Sequence, residues 1–130
     1  MLSKREWLVM YLCEGFKTFK TKKGDPCYIV GMANTDEQII KWFIEGLEIY
    51  YNFPRTNLYI RFKLWVGMDE EKEHKYWSEL LGIPYKNYWN PTWVEKGIRF
   101  DETKHGLVTV KRCKKEILAE ILSDINQLKS

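Results

Sequence analysis

The N-terminal segment, residues 3–15, constrains the fold more than any other part of the chain. Ser3 is followed three residues later by Glu6, the pattern of a capping box, so a helix is predicted to begin almost at once. Gly15 predicts its end. Apolar side chains occupy nearly every side of this helix: Trp7, Leu8, Met10, Tyr11 and Leu12. Such a helix has to be covered on more than one side.

The last turn of this helix carries an acid where a basic residue is expected. Glu14 faces the negative end of the helix dipole, which costs about 0.3–1 kcal/mol at an exposed site. A carboxylate in that place is easier to explain if it binds a cation. Glu14 is therefore a candidate metal ligand.

Length and composition indicate one domain, residues 1–130, with a core of its own. Lys, Arg or Glu interrupts every apolar run well short of about 20 residues, so we expect no membrane span and no signal peptide. Cys13, Cys27 and Cys113 lack metal-site spacing, which predicts reduced thiols in a cytoplasmic protein. The net charge of +3 permits nucleic-acid binding, and the placement of the charges has to decide it.

A basic hairpin is predicted to follow the first helix. Residues 16–23 carry Phe and Thr interleaved with lysines, a turn follows at residues 24–26, and residues 27–33 return as an apolar strand. The lysines of the outgoing arm are Lys17, Lys20, Lys22 and Lys23. Two interpretations stay open: a charged sheet edge protected against aggregation, or a phosphate-binding arm.

Residues 58–66 form the clearest strand of the sequence. Its inward set is apolar: Leu58, Ile60, Phe62, Leu64 and Val66. Its outward set is two cations bracketed by two aromatics: Tyr59, Arg61, Lys63 and Trp65. Cations can meet phosphates and base edges, and aromatic rings can pack on sugars or bases. A nucleic-acid surface is favoured over an exposed sheet face with unrelated aromatics.

Three more helices and one more strand are predicted. Thr35 and Gln38 form a second capping box, which predicts the start of the second helix. The acids of residues 69–71 lie in the first turn of a third helix, where the helix dipole favours negative charge. These acids therefore predict a solvated helix end and no metal cluster. Residues 107–113 alternate as a strand with Lys111 and Arg112 near its end, and a last helix begins at about residue 114. Residues 85–106 receive no assignment. The two histidines, at positions 74 and 105, are expected at the surface.

The order of these elements is helix, hairpin, helix, strand, helix, strand, helix. It predicts an α+β fold with a mostly antiparallel four-stranded sheet, helices on one face and the other face open.

Two stretches resemble a known family. Residues 8–15 resemble the core helix of the LAGLIDADG homing endonucleases, whose motif ends in an acid followed by glycine. They are closer to a compact prokaryotic branch in which the motif ends in Glu-Gly and a basic residue soon follows, here Lys17. Residues 77–84 resemble a second stretch of the same branch. The resemblance runs from about Trp7 to Leu122 and implies a LAGLIDADG-like half.

The resemblance implies a homodimer that cleaves phosphodiester bonds of double-stranded DNA on a concave basic floor. Independently of the resemblance, a helix that is apolar on all sides has more surface than a four-stranded sheet can cover, so a partner is expected to cover the rest. The expected dimer interface is Leu8, Val9, Tyr11, Leu12 and Cys13. Glu14 from each copy would hold Mg²⁺ or another divalent cation, with Lys63 or Lys111 assisting catalysis. The expected DNA-binding residues are Lys17, Lys20, Lys22, Tyr59, Arg61, Lys63, Trp65, Lys111 and Arg112.

Several positions depart from the pattern of the branch. Val9 is larger than the small residue usual there, Glu14 replaces the family's usual aspartate, Leu12 stands where the motif has its first acid, and Phe16 precedes Lys17. A non-cleaving DNA-binding regulator with the same fold is therefore an alternative. A protein-interaction module that uses the aromatic face is another.

Overall fold

A computed structural model describes residues 1–17, 19–20, 23–24, 26–95 and 105–130, with backbone alone at residues 19–20 and 26–27. Its helices are α1 (Lys4–Glu14), α2 (Glu37–Tyr51), α3 (Glu70–Leu81) and α4 (Lys115–Lys129). Its strands are β1 (Phe19–Lys20), β2 (Pro26–Cys27), β3 (Ile29–Asn34), β4 (Tyr59–Trp65), β5 (Thr92–Val94) and β6 (Leu107–Cys113).

Four of these strands form one mixed sheet in the order β3-β6-β4-β5. Strand β6 is antiparallel to both of its neighbours, while β5 runs parallel to β4. The prediction of an α+β fold is confirmed, but the fourth strand is not the expected one. The return arm of the predicted hairpin supplies β3, whereas the outgoing arm contributes only β1, which pairs with β2 outside this sheet. Strand β5 lies in the region that received no assignment. Its three residues lie at the sheet edge and are at least partly exposed, so the sequence shows no alternating pattern there.

Strand β4 separates the two faces of the sheet as predicted. Ile60, Phe62 and Leu64 are buried, whereas Lys63 between them is exposed. The strand ends one residue earlier than the alternation suggested. Val66, predicted to point inward, is therefore 58% exposed in the turn that follows.

The helices cover the face of the sheet that carries these buried residues. Helix α1 packs against α2 and α4, and those two helices pack against β3. Helix α3 reaches the same side, where the imidazole of His74 meets the edge of Phe62. The buried apolar side chains form one continuous core in which Trp7 and Trp77 are fully enclosed.

Helix α1 is anchored in this core by its tryptophan. The predicted capping box is present between Ser3 and Glu6. The indole Nε1 of Trp7 donates a hydrogen bond of 3.2 Å to the carbonyl of Phe43 in α2. A Cβ at Gly46 would lie 2.1 Å from the indole, so this mid-helix glycine provides the space that Trp7 occupies.

The start of α2 differs from the predicted capping box. Asp36, not Thr35, is the N-cap, and its carboxylate accepts a 2.9 Å hydrogen bond from the amide of Gln38. Asn34 in turn accepts from the amide of Asp36 at 2.8 Å. The third helix begins as predicted, with Asp69 as its cap.

The prediction that both histidines lie at the surface is wrong for His74. Its side chain is only 6% exposed and packs on the rings of Tyr85 and Tyr88 at 3.8 and 4.4 Å. His105 is partly buried and its Nδ1 lies 2.8 Å from the buried carboxylate of Glu73. The rings and the carboxylate that contact the two histidines belong to other elements, so the local sequence around each histidine does not predict its burial.

Within the described ranges, no helix combines the length and apolar character needed to cross a membrane.

Candidate nucleic-acid interface

The face of the sheet turned away from the helices is cationic. Because directly opposed residues of neighbouring strands share a face, the antiparallel register places Gly31 and Tyr59 beside Lys111 on this open face, and Arg61 beside Thr109. The ten residues that the register of β3, β4 and β6 assigns to it are Ile29, Gly31, Ala33, Tyr59, Arg61, Lys63, Leu107, Thr109, Lys111 and Cys113. None of them is acidic.

Three cations of the open face have no carboxylate partner among the described residues: Arg61, Lys63 and Lys111. Lys63 is exposed, and the other two are half-buried. Uncompensated cations on one exposed surface create a positive potential that attracts polyanions. Tyr59, Arg61, Lys63 and Lys111 are therefore brought together as the sequence predicted.

Trp89 lies on the same face, and sequence reasoning missed it. Its indole is 41% exposed, with the Arg61 guanidinium 4.7 Å and the Lys111 ammonium 5.3 Å from the ring centroid. Its ring centroid lies 5.8 Å from that of Tyr59. The available signal was an aromatic-rich run beginning at Tyr85, after the helix stop of Gly82 and Pro84, but no periodicity tied that run to the sheet.

The backbone beneath Trp89 is fixed to β4. The buried side-chain amide of Asn87 donates to the carbonyls of Thr56 and Leu58 at 2.7 and 2.8 Å. The amide of Trp89 itself donates to the carbonyl of Ile60 at 2.8 Å. These three hydrogen bonds fix the backbone that carries the indole.

Two further predicted residues take different places. The guanidinium of Arg112 lies 4.9 Å from the ring centroid of Tyr59, so it extends the cationic and aromatic surface at the end of β6. Trp65, in contrast, is only 7% exposed. The prediction that Trp65 contacts DNA is wrong for this conformation, because its ring is covered at the end of β4, where Val94 of β5 lies opposite.

The acidic tip of α1 is exposed. Glu14 is the last residue of the helix, and Gly15 follows in extended conformation, with φ −79° and ψ 154°. Glycine is required at position 15 for steric reasons, because a Cβ would lie 2.6 Å from the ring of Tyr11. Its φ is negative and would suit any residue. The ammonium of Lys17 donates to the carbonyls of Leu12 and Gly15 at 2.9 and 3.2 Å. Lys17 thus supplies the positive charge that the last turn of α1 lacks.

This tip lies close to the open face. Gly15 forms a bridge to Met32, and the amide of Phe16 donates to the carbonyl of Gly31 at 2.8 Å. Gly31 is directly opposite Lys111. Of the two candidate lysines, Lys111 is therefore nearer to the segment that follows Glu14. Lys63 lies four residues beyond Tyr59 along β4, about 13 Å at the usual rise per residue.

The described residues of one chain do not supply a complete metal site. No group of three His, Cys, Asp or Glu side chains in the described part of the chain could hold an ion together. Glu14 offers one exposed carboxylate, whereas Mg²⁺ is usually bound through one or two carboxylates, with water filling the remaining positions. A divalent ion at Glu14 would accordingly need ligands from a second copy or from DNA phosphates.

The residues expected at a dimer interface fall into two groups. Leu8 and Tyr11 are buried in the core of their own chain, so neither is available to a partner in this conformation. Burial also raises the pKa of the Tyr11 hydroxyl to about 12. Val9 is 46% exposed, Cys13 is exposed and Leu12 is partly exposed. These three residues form the outer stripe of α1.

Two of the predicted DNA-binding lysines cannot be placed. Lys22 and the side chain of Lys20 lie outside the described residues.

The fold and this face together define a class: an α+β protein with a cationic, aromatic sheet face and an exposed acidic helix tip beside it. Comparison with protein families, with curated proteins and with solved structures finds no match. The LAGLIDADG resemblance stays a prediction.

Proposed function

We propose that this protein binds double-stranded DNA on the open face of its sheet. The observation that carries the proposal is the grouping of Arg61, Lys63 and Lys111 on one face without carboxylate partners among the described residues, with Tyr59 and Trp89 between them. Contacts to phosphates provide most of the affinity of such surfaces and do not depend on sequence.

The fuller form of the proposal is a homodimeric, LAGLIDADG-like endonuclease. The outer stripe of α1 would pair with its copy, bringing two Glu14 carboxylates together beside the two open faces. Two carboxylates at such a short distance repel one another unless a cation lies between them. A divalent ion held by both would activate water and stabilise the leaving oxygen of a phosphodiester. Lys111 is the better placed of the two candidate lysines to contact the same phosphate.

A non-cleaving DNA-binding regulator is the second candidate. Two observations favour it: the described part of one chain holds no group of three metal-binding side chains, and the ammonium of Lys17 already compensates the C-terminus of α1. An exposed glutamate at that helix end then needs no metal.

Salt dependence of DNA binding tests the shared part of both candidates. Anisotropy of a labelled duplex of about 30 base pairs, measured across a KCl series, should give a falling line of log K against log salt. Lys63→Ala should flatten that slope by about 0.9 for each phosphate that the variant no longer neutralises. Lys75→Ala is the matched control, because Lys75 is exposed on α3 on the helix-covered side. A slope of zero for the unmodified protein would exclude phosphate contacts and favour a protein-interaction module.

Plasmid nicking separates the two candidates. Supercoiled plasmid incubated with magnesium should be nicked by the unmodified protein and left intact by Glu14→Gln, while both proteins bind duplex DNA with similar affinity. Equal nicking by both proteins would refute the role of Glu14 as a metal ligand. DNA binding without nicking by either would establish the non-cleaving candidate.

A further inference from the structure

A pocket of about 390 Å³ opens on the cationic face where β6 ends. It is lined by Ile29, Tyr59, Trp89, Lys111, Arg112 and Cys113. This volume falls within the range of small-molecule sites. It is far larger than the space that a phosphate contact needs. Some planar or bulky group of a ligand is the natural occupant.

The two aromatic rings of this pocket form an open wedge. The planes of Tyr59 and Trp89 are inclined by 45°, with 5.8 Å between the ring centroids. The rings therefore do not stack on each other as a closed pair, and 41% of Trp89 stays exposed. An exposed aromatic face beside a cavity is suited to stacking on another flat ring.

Cations surround both rings. Lys111 approaches Trp89 and Arg112 approaches Tyr59, at 5.3 and 4.9 Å from the ring centroids. The Nε of Arg61, next to Trp89, is buried without a hydrogen-bond partner among the described residues. A ligand that joins a flat ring to flanking negative charge would match the two rings and the cations beside them. A nucleotide within a DNA strand has that chemistry.

Fully paired duplex DNA cannot fill this pocket. A duplex offers base edges in its grooves, which are read by hydrogen-bonding side chains, while its base faces are covered by the neighbouring pairs. Aromatic rings stack on bases only where these are unstacked or turned out of the helix. The rigid attachment of Trp89 through Asn87 lowers the ordering cost of such stacking.

From these observations we infer that the pocket receives one unpaired base of bound DNA, stacked on Trp89. The protein then prefers DNA with an extrahelical nucleotide over the same duplex fully paired. This inference rests on the proposed DNA binding and specifies the form of DNA that binds best.

The test compares three probes of one sequence: a paired duplex of about 20 base pairs, the same duplex with one extra unpaired nucleotide, and the bulged strand alone. Anisotropy should show about tenfold tighter binding of the bulged duplex than of the paired one, equivalent to about 1.4 kcal/mol. With 2-aminopurine as the unpaired base, binding should quench its fluorescence, because stacking on the indole replaces exposure to water.

Two variants identify the stacking ring. Trp89→Ala should abolish both the preference and the quenching, and Trp89→Phe should keep most of the preference because a ring is retained. Trp93→Ala is the control: Trp93 is also exposed, at 44%, but lies opposite Leu64 and does not line the pocket. Circular dichroism of each variant confirms folding.

The outcomes test the base pocket separately from DNA binding itself. Equal affinity for paired and bulged duplexes, or a preference that survives in Trp89→Ala, overturns the base pocket and leaves DNA binding standing. Absence of binding to all three probes overturns both.

Discussion

At the scale of single residues, close approach decides which glycines can be replaced. Gly46 is in the middle of α2, where alanine is intrinsically favoured by about 1 kcal/mol. Its added Cβ would nevertheless lie 2.1 Å from the indole of Trp7, which is fully buried and hydrogen-bonded to Phe43. Overpacking of a core costs about 1–3 kcal/mol, so the steric effect exceeds the helix propensity.

We predict that Gly46→Ala lowers the free energy of unfolding by about 1–2 kcal/mol, measured by urea denaturation. The double variant with Trp7→Phe should recover part of the loss caused by the alanine, because a smaller ring leaves room for the Cβ. Purely additive effects of the two substitutions would contradict the contact.

His74 makes stability depend on pH. Burial holds its pKa below the usual 6.5, and the nearby Glu70 opposes this only in part. The native state therefore binds fewer protons than the unfolded chain below that value. Its contribution to stability is complete above about pH 6.5 and is lost as the pH falls.

Urea denaturation at about pH 7.5 and about pH 5.5 should show lower stability at the acidic pH, by at most about 1.4 kcal/mol for each unit below 6.5. His74→Phe keeps a ring against Phe62, Tyr85 and Tyr88 and should reduce this dependence. An unchanged pH dependence in the variant would assign the effect to other groups.

Local sequence rules predicted residues whose partners are near in the chain. The Ser3–Glu6 capping box spans three residues and was found as expected. The contact between Glu73 and His105 spans 32 residues, and Asn87 reaches back about 30 residues to Thr56 and Leu58. No periodicity carries such information, which is why Trp89, positioned through Asn87, escaped the prediction.

At the scale of elements, one arginine joins α2 to the end of α3. Arg55 forms a two-pronged ion pair with Glu48 of α2, with its closest contact at 2.6 Å. Its Nη1 also donates to the carbonyl of Leu81 at 2.7 Å, so it caps the last turn of α3. The hydrogen bond from Arg55 holds the pKa of Glu48 below its usual value.

Arg55→Ala should reduce the free energy of unfolding by about 1–2 kcal/mol, because it removes a charged hydrogen-bond network whose side chains are about two-thirds buried. Arg55→Lys should lose most of the same amount, since lysine keeps the charge but cannot reproduce the planar fork. Thermal denaturation at neutral pH is the measurement. A lysine variant as stable as the original would show that charge alone matters there.

The sequence predicted the elements better than their pairing. The alternation of residues 58–66 and 107–113 located β4 and β6, and all four helices were predicted in the observed order. The short parallel strand β5 has no alternation of its own, and its position depends on β4 beside it. Edge strands of this length are defined by their neighbours, so sequence patterns cannot locate them.

At the scale of the whole molecule, the proposed homodimer depends on the outer stripe of α1. Val9→Glu should shift sedimentation velocity from dimer to monomer at tens of micromolar, because it places two charges in an apolar contact. Ile49→Glu is the matched control, since Ile49 is more exposed, at 61%, and lies on α2. A monomer for the unmodified protein would refute the assembly.

Cys13 provides an independent measure of the same arrangement. Its exposed thiol lies one turn after Val9 on the same stripe. Mild oxidation should link two chains covalently if the helices pair, and Cys13→Ser should prevent the link. Persistence of the cross-link in Cys13→Ser would place the contact elsewhere.

Helix α1 buries one side in the core and leaves its other side exposed. Its inner side, with Trp7 and Tyr11, is committed to the core, while Val9 and Cys13 on the outer side contribute little to the folded monomer. Changes on the outer side can therefore accumulate in evolution, or be introduced by an engineer, without cost to the domain itself. Self-association is thus a property that this architecture can gain, lose or redirect to a different companion chain while the scaffold stays the same.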